Sequence, residues 1–161
     1  MSRYAADTTV PADRSRAEIE RTLTRYNARG FMYGWDETRA VLGFIAAGRQ
    51  VRFLLPMPDP QAREFTHTPS RGTPRSPSAA ADAYDQAVRQ RWRALALVIK
   101  AKLEAVAAGI VTFDEEFLAH LVLPTGETVG QAVVPRVEEA YRTGEVPALL
   151  PAYDRKELTV G

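Results

Sequence analysis

The chain has 161 residues, a net charge of +1 and no cysteine. This length is typical of one domain and suffices to bury a core without disulfides or a metal. The absence of cysteine excludes disulfides, thiolate zinc sites, iron–sulfur clusters and cysteine nucleophiles. No apolar run approaches the roughly 20 residues of a membrane span, and the N-terminus lacks the apolar region of a secretory signal. We therefore expect a soluble, cytoplasmic protein without a membrane partner.

The charges are distributed unevenly along the chain. Residues 49–102 contain ten basic and four acidic residues, whereas residues 103–161 contain four basic and ten acidic residues. One interpretation is that the two blocks lie on adjacent elements and partly neutralise each other. The other is that the basic block binds an anionic partner, because charges of one sign sum to a potential over a surface.

The N-terminal part of the chain predicts an arm and then a helix. Residues 1–13 are polar and contain Pro11, which favours a flexible arm. Residues 14–29 contain an apolar stripe at helical spacing, formed by Ile19, Leu23 and Tyr26. Gly30 provides a helix stop.

Three apolar runs between residues 31 and 55 are separated by short polar or glycine-containing turns. This pattern predicts a three-stranded antiparallel meander. Gly34 and Gly43 lie inside the runs and indicate bulges or a close backbone approach.

Residues 58–78 form a segment rich in proline and arginine. The prolines argue against any helix there, and the segment is too long for an ordinary connection. It is therefore either a functional loop or a disordered one.

The rest of the chain predicts helices. Residues 78–108 have apolar residues three or four positions apart, preceded by a cap at Ser76 and a proline near the first turn. A capping box opens a short helix at Thr112, and residues 128–143 predict a last helix that Pro135 kinks. Residues 151–161 form a tail.

Together, these elements predict a single α+β domain over residues 14–150. It consists of an N-terminal helix, a three-stranded antiparallel meander, a long helix and C-terminal helices packed on the sheet. An apolar sheet face must be covered, and helices are the elements available to cover it.

The sequence offers little support for catalysis. It contains none of the common catalytic, phosphate-loop or dinucleotide motifs. His67 is interpreted as an exposed loop residue and His120 as a surface residue or a partner of a helix C-terminus. Three consecutive acids, Asp114, Glu115 and Glu116, suit the first turn of a helix better than a metal site. We therefore predict a protein that is not an enzyme, without catalytic residues, metal ligands or cofactors.

The basic middle segment suggests binding to nucleic acid. Arginine dominates over lysine there, and its planar guanidinium binds phosphate in a bidentate manner. Aromatic residues on a strand can stack on single-stranded bases, although such residues also commonly belong to a core. The candidate nucleic-acid-binding residues are Arg49, Arg52, Arg63, Arg71, Arg75, Arg89, Arg93, Lys100, Tyr33 and Trp35.

Three stretches carry a resemblance to known proteins. Residues 89–106, residues 113–120 and residues 147–151 resemble segments of small uncharacterised proteins carried by phages, prophages and other mobile elements. The order of a strand meander followed by a long helix also resembles the core of single-strand annealing proteins. Small cysteine-free proteins of this kind are often accessories that handle nucleic acid or inhibitors of host machinery, but the resemblance implies no established activity and no functional residue. Together with the basic segment, this context favours an accessory protein for single-stranded DNA or RNA, as in recombination or replication.

Two further roles follow from other features of the sequence. The long helix or the acidic third suits a protein-binding inhibitor or adaptor that acts on host or phage machinery. The acidic third could also complement the basic face of a neighbouring copy, which would give a homo-oligomer.

Overall fold

The computed structural model describes residues 3–152, with side chains from residue 13 onward. In chain order, its elements are α1 (Arg3–Arg25), β1 (Arg29–Trp35), β2 (Arg39–Ala46), β3 (Arg49–Pro56), α2 (Arg63–Thr66), α3 (Pro77–Ala107), α4 (Phe113–Glu116), a 3₁₀ turn (Leu118–His120) and α5 (Val129–Thr143). The predicted α+β class and the order of its main elements are confirmed.

The three strands form an antiparallel sheet in the order β1-β2-β3, as predicted. A tight turn at Ala47 and Gly48, both with positive φ, connects β2 to β3. Beyond β3, Leu121 forms a bridge with Val51, and the Val122 amide donates to the Gln50 carbonyl oxygen at 2.9 Å. The edge of β3 is therefore partly covered by the C-terminal segment.

The bulge in the sheet lies at a different glycine from those predicted. The register between β1 and β2 shifts between Arg29 and Met32. Gly30 lies in this interval with a φ of 68°, which glycine adopts without strain. Gly34 and Gly43 lie in regular pairing, and a Cβ on Gly43 would lie 3.7 Å from the Met32 Cβ, which is an ordinary contact distance. Neither glycine therefore marks a bulge or a close approach.

One face of the sheet, the inner face, packs against α1 and α3. The buried core includes Ile19, Leu23, Leu42, Phe44, Val51, Phe53, Trp92, Ile99, Leu103 and Phe117. Ile19 and Leu23 belong to the apolar stripe predicted for the N-terminal helix, which is thereby confirmed as the face that α1 buries.

Helices α1 and α3 lie side by side and run in the same direction. Tyr33 joins them at one level, where its hydroxyl donates to the Arg16 carbonyl oxygen at 3.2 Å and its ring lies 6.4 Å from that of Trp92. Further along both helices, Thr22 and Lys100 border one groove. Residue numbers thus increase together along the two helices.

Helix α1 differs from its predicted bounds at both ends. It begins at Arg3 and ends at Arg25, so residues 3–13 of the predicted arm have helical backbone. Asn27 ends the helix because its φ of 64° is not helical, and the residues that follow pair with β2. Residues 1–2 of the predicted arm and residues 153–161 of the predicted tail lie outside the described residues.

The proline-rich segment contains a helix that the sequence argued against. Helix α2 occupies Arg63–Thr66, within the proline-free interval 61–68. One helical turn fits between prolines because each proline excludes helix only at its own position and in the turn before it.

This segment also pairs with itself and packs on α3. His67 forms a bridge with Pro74, and the Arg75 amide donates to the Thr66 carbonyl oxygen at 2.7 Å. The Phe65 ring is buried and meets the Tyr84 ring edge-on at 5.5 Å. The loop therefore has a defined position on α3.

The C-terminal helices begin at the predicted caps. Thr112 and Glu115 form a capping box at α4, and Thr128 and Gln131 form a second one at α5. Pro135 lies inside α5, as predicted. Helix α5 packs mainly on the 3₁₀ turn rather than on the sheet.

Candidate nucleic-acid interface

The two candidate arginines of β3 bind the C-terminal segment. The Arg49 Nε and Nη2 donate to the two carboxylate oxygens of Asp114 at 3.1 and 3.0 Å, and this interaction raises the pKa of Arg49. The Arg52 Nη1 donates to the Gly126 carbonyl oxygen at 2.7 Å. Both guanidinium groups already have partners, and a nucleic acid would have to compete with them.

The acidic cluster has structural partners of its own. Beside the contact of Asp114 with Arg49, Glu115 accepts the capping hydrogen bond from the Thr112 amide. The Glu116 carboxylate lies 3.0 Å from the Lys102 Nζ. These contacts agree with the structural interpretation of the cluster, and the described residues contain no group of three potential metal-binding side chains.

His120 is not a surface residue as the sequence suggested. It is half-buried, and its ring stacks on Phe53 with 4.0 Å between ring centroids. Burial lowers the pKa of His120, and the positive charge of Lys102 lowers it further. His67 lies in the loop, where its Nδ1 is 2.8 Å from the Thr66 hydroxyl.

The three candidate arginines of the loop differ in their contacts. The Arg75 Nη1 binds the carbonyl oxygens of Glu64 and Phe65, both at 3.1 Å, and so holds the loop together. Arg63 and Arg71 are exposed.

The loop lies on the other side of α3 from the basic edge of that helix. It contacts α3 at Tyr84, which is roughly 140° or more around the helix from Arg89 and Arg93. The loop arginines and the arginines of α3 therefore do not form the continuous surface that the sequence suggested.

The candidate aromatic residues lie on the inner face of the sheet. Tyr33 is half-buried, and burial raises the pKa of its hydroxyl. The Arg16 guanidinium lies 5.5 Å from the ring centroids of both Tyr33 and Trp35. Tyr33 therefore belongs to the packing of the helices on the sheet, whereas Trp35 remains 54% exposed.

The remaining candidates, Arg89, Arg93 and Lys100, form one edge of α3. Their spacing of four and seven residues places them on the same side of the helix over about 16 Å. All three are exposed, and none has an ion-pair partner among the described side chains.

This edge of α3 faces a second row of cations on α1. Lys100 borders a groove of about 320 Å³ together with Glu18, Arg21, Thr22 and Arg25. Arg14 lies seven residues before Arg21 and so continues the row on the same side of α1. Like the cations of α3, these arginines are exposed.

We call this surface the basic groove and define it by Arg14, Arg21, Arg25, Arg89, Arg93 and Lys100. The three arginines of α1 are not among the candidate residues predicted from the sequence. The available signal was that these arginines lie off the apolar stripe of their helix. Their position beside the cations of α3 results from the packing of the two helices, which cannot be predicted from the sequence pattern.

Positive charge predominates on the part of the basic groove that Lys100 borders, where Arg21, Arg25 and Lys100 are accompanied by one acid, Glu18. Asp85 and Glu104 also lie one helical turn from Arg89 and Lys100, respectively. Exposed cations of one sign along a groove attract anions, and guanidinium groups suit phosphate oxygens in particular. Trp35 contributes nothing to this surface, because its neighbour Arg16 lies on the opposite side of α1 from Arg21 and Arg25.

No family model, curated protein or solved structure matches the chain. The described helices also include none that is long and apolar enough for a membrane span. The geometry of the chain is therefore the basis for its functional assignment.

Proposed function

We propose that the protein is a non-enzymatic accessory protein that binds single-stranded DNA or RNA through the phosphate backbone. The observation that carries this proposal is the basic groove, with its two facing rows of exposed cations. Each row extends over eleven residue positions, or about 16 Å. A strand lying in the groove would meet cations from both helices.

The layout of the groove favours contact with the backbone over the reading of bases. Its cations are all arginine or lysine, with Glu18 beside them, and the described residues that line it next to Lys100 include no aromatic ring. Backbone contacts of this kind give binding that depends strongly on salt and weakly on sequence. We therefore assign the interaction to the backbone and leave Tyr33 and Trp35 out of the interface.

The test is a titration of labelled single-stranded oligonucleotides by fluorescence anisotropy at several salt concentrations. If all six cations contact phosphates, the slope of log K against log salt reaches about −4, at roughly 0.7 per contact for single strands. A duplex of the same sequence is measured in parallel. Absence of binding at low salt contradicts the proposal, and tighter binding of the duplex contradicts its single-stranded part.

A matched pair of variants locates the interface. Arg93→Glu reverses an exposed helical arginine at the basic groove, and Arg142→Glu makes the same change on α5. We expect Arg93→Glu to weaken binding at least tenfold, or by about 1.4 kcal/mol, because it removes a charge-assisted contact with phosphate and places a negative charge in the groove. Arg142→Glu should leave the affinity near that of the unmodified protein. Equal effects of the two variants would assign binding to net charge rather than to the groove.

A further inference from the structure

The sheet has an outer face, opposite α1 and α3, that the described residues leave open. Met32, Ile45 and Leu54 lie on this face, one on each strand, and all three are exposed, with Met32 at 63%. Antiparallel sheets often expose one face to water, but that face is then usually polar. Exposed apolar side chains on every strand of such a face are more typical of a contact surface.

The outer face has one open position at a glycine. At Gly34, no atom lies within 4 Å of the position that a Cβ would take. The Ile45 side chain lies over Gly30, and the Met32 side chain lies over Gly43. Close approach of a helix to the backbone is therefore possible at Gly34.

Helix α5 carries an apolar stripe that has no cover within the described residues. Val134, Val137 and Tyr141 are spaced three and four residues apart, which places them in one row. All three are exposed, with Tyr141 at 89%. The row lies on the side of α5 opposite the buried Ala132, by which the helix packs on its own chain.

The two surfaces have opposite charge as well as a shared apolar character. The outward positions of the strands carry the cations Arg29, Arg39 and Arg52 and no acid. Within the chain, Arg39 lies 3.8 Å from Asp36 and Arg52 donates to the Gly126 carbonyl oxygen, and both keep their positive charge. Residues 127–145, which include α5, carry four glutamates and two arginines, a net charge of −2. Apolar contact supplies the driving force for association, and opposite charges select the partner.

We infer that the outer face of one copy is the docking site for α5 of a second copy. The contact is heterologous, with the apolar stripe of one protomer on the sheet of the other. It leaves the basic groove exposed on every protomer. It therefore differs from an assembly through the basic and acidic faces, and it does not depend on the proposed function.

The experiment uses one variant for each surface. Val134→Lys disrupts the stripe and keeps the outer face, whereas Met32→Lys disrupts the outer face and keeps the stripe. Ile110→Lys, at a residue 75% exposed beyond the end of α3, is the matched control. Mass is measured by light scattering after size-exclusion chromatography over a series of protein concentrations, and circular dichroism checks that each variant is folded.

We expect the unmodified protein and Ile110→Lys to associate as concentration rises. For each surface variant alone, the dissociation constant of self-association should be at least tenfold higher than for the unmodified protein, as expected for loss of a central apolar contact. An equimolar mixture of the two surface variants should form a 1:1 heterodimer, because an intact stripe then meets an intact outer face. Recovery in the mixture also excludes misfolding as the cause of the single losses.

Other results would overturn the inference. A protein that is monomeric at every concentration has no such contact. If Met32→Lys alone still associates, stripes pair with stripes, and if Val134→Lys alone still associates, outer faces pair with each other. Binding of single-stranded oligonucleotide by the same variants is recorded separately, so failure of the assembly and failure of the proposed function remain distinguishable.

Discussion

Neutralising the cations that line the basic groove should change the salt dependence of oligonucleotide binding by a predictable amount. Arg21, Arg25 and Lys100 border the groove directly, and all three are exposed. Replacing each with glutamine removes its charge while keeping a side chain of similar length. Since none of the three is buried, we expect the fold to persist, which a thermal melt checks.

The magnitude follows from the number of contacts. With six phosphate contacts, a rise from 50 to 200 mM salt should weaken binding to a single strand about 300-fold. With the three contacts that remain in the triple variant, the same rise should weaken binding only about 20-fold. The slope therefore falls by about 2, or about 0.7 for each cation removed.

The assay is an anisotropy titration at five or more salt concentrations, applied to the single, double and triple variants. Arg142→Gln on α5 is the control and should leave the slope unchanged. A triple variant with the slope of the unmodified protein would show that the groove does not contact phosphate. An equal loss of slope in Arg142→Gln would show that the contacts lie outside the groove.

Two predictions concern the stability of the segment that holds α5. Because burial and Lys102 lower the pKa of His120 below 6.5 in the folded protein, the unfolded protein binds more protons in that range. The free energy of unfolding should therefore decrease as pH falls below about 6.5, and His120→Phe should reduce this decrease in urea titrations. Gly130→Ala should destabilise the protein by about 1–3 kcal/mol, because its Cβ would lie 2.8 Å from the Ala119 carbonyl oxygen. Gly34→Ala, whose Cβ would meet nothing within 4 Å, is the control, and equal losses in the two variants would contradict this reasoning.

The elements that were predicted most accurately have both a periodic apolar pattern and capping residues. The long helix was expected at residues 78–108 and occupies Pro77–Ala107, because the Ser76 cap and Pro77 fix its start locally. The short strands were also found, because their apolar runs are separated by turns. Local chemistry decides these boundaries, and the sequence contains all of it.

The elements that depend on distant contacts were predicted less well. The end of α1 is set partly by the pairing of β1 with β2, which competes with a further helical turn. Tyr33 was expected to be available for stacking on bases, but it lies between Arg16 and Trp92, residues far apart in sequence. The candidate site could be predicted only in part for the same reason. The α3 half of the basic groove follows from helical spacing, whereas the α1 half requires the parallel packing of two helices.

In the folded protein, the acidic C-terminal block lies beside only some of the basic residues. The acidic C-terminal segment pairs with Arg49 and Lys102, which lie on the side of the fold next to α4. These contacts fit the interpretation in which the two blocks partly neutralise each other. However, they do not extend to the part of the basic groove that Arg21, Arg25 and Lys100 line together with Glu18. The acidic segment therefore pairs with cations next to α4 and leaves those of the basic groove exposed, which supports the proposal that this groove, rather than the whole basic middle segment, binds an anion.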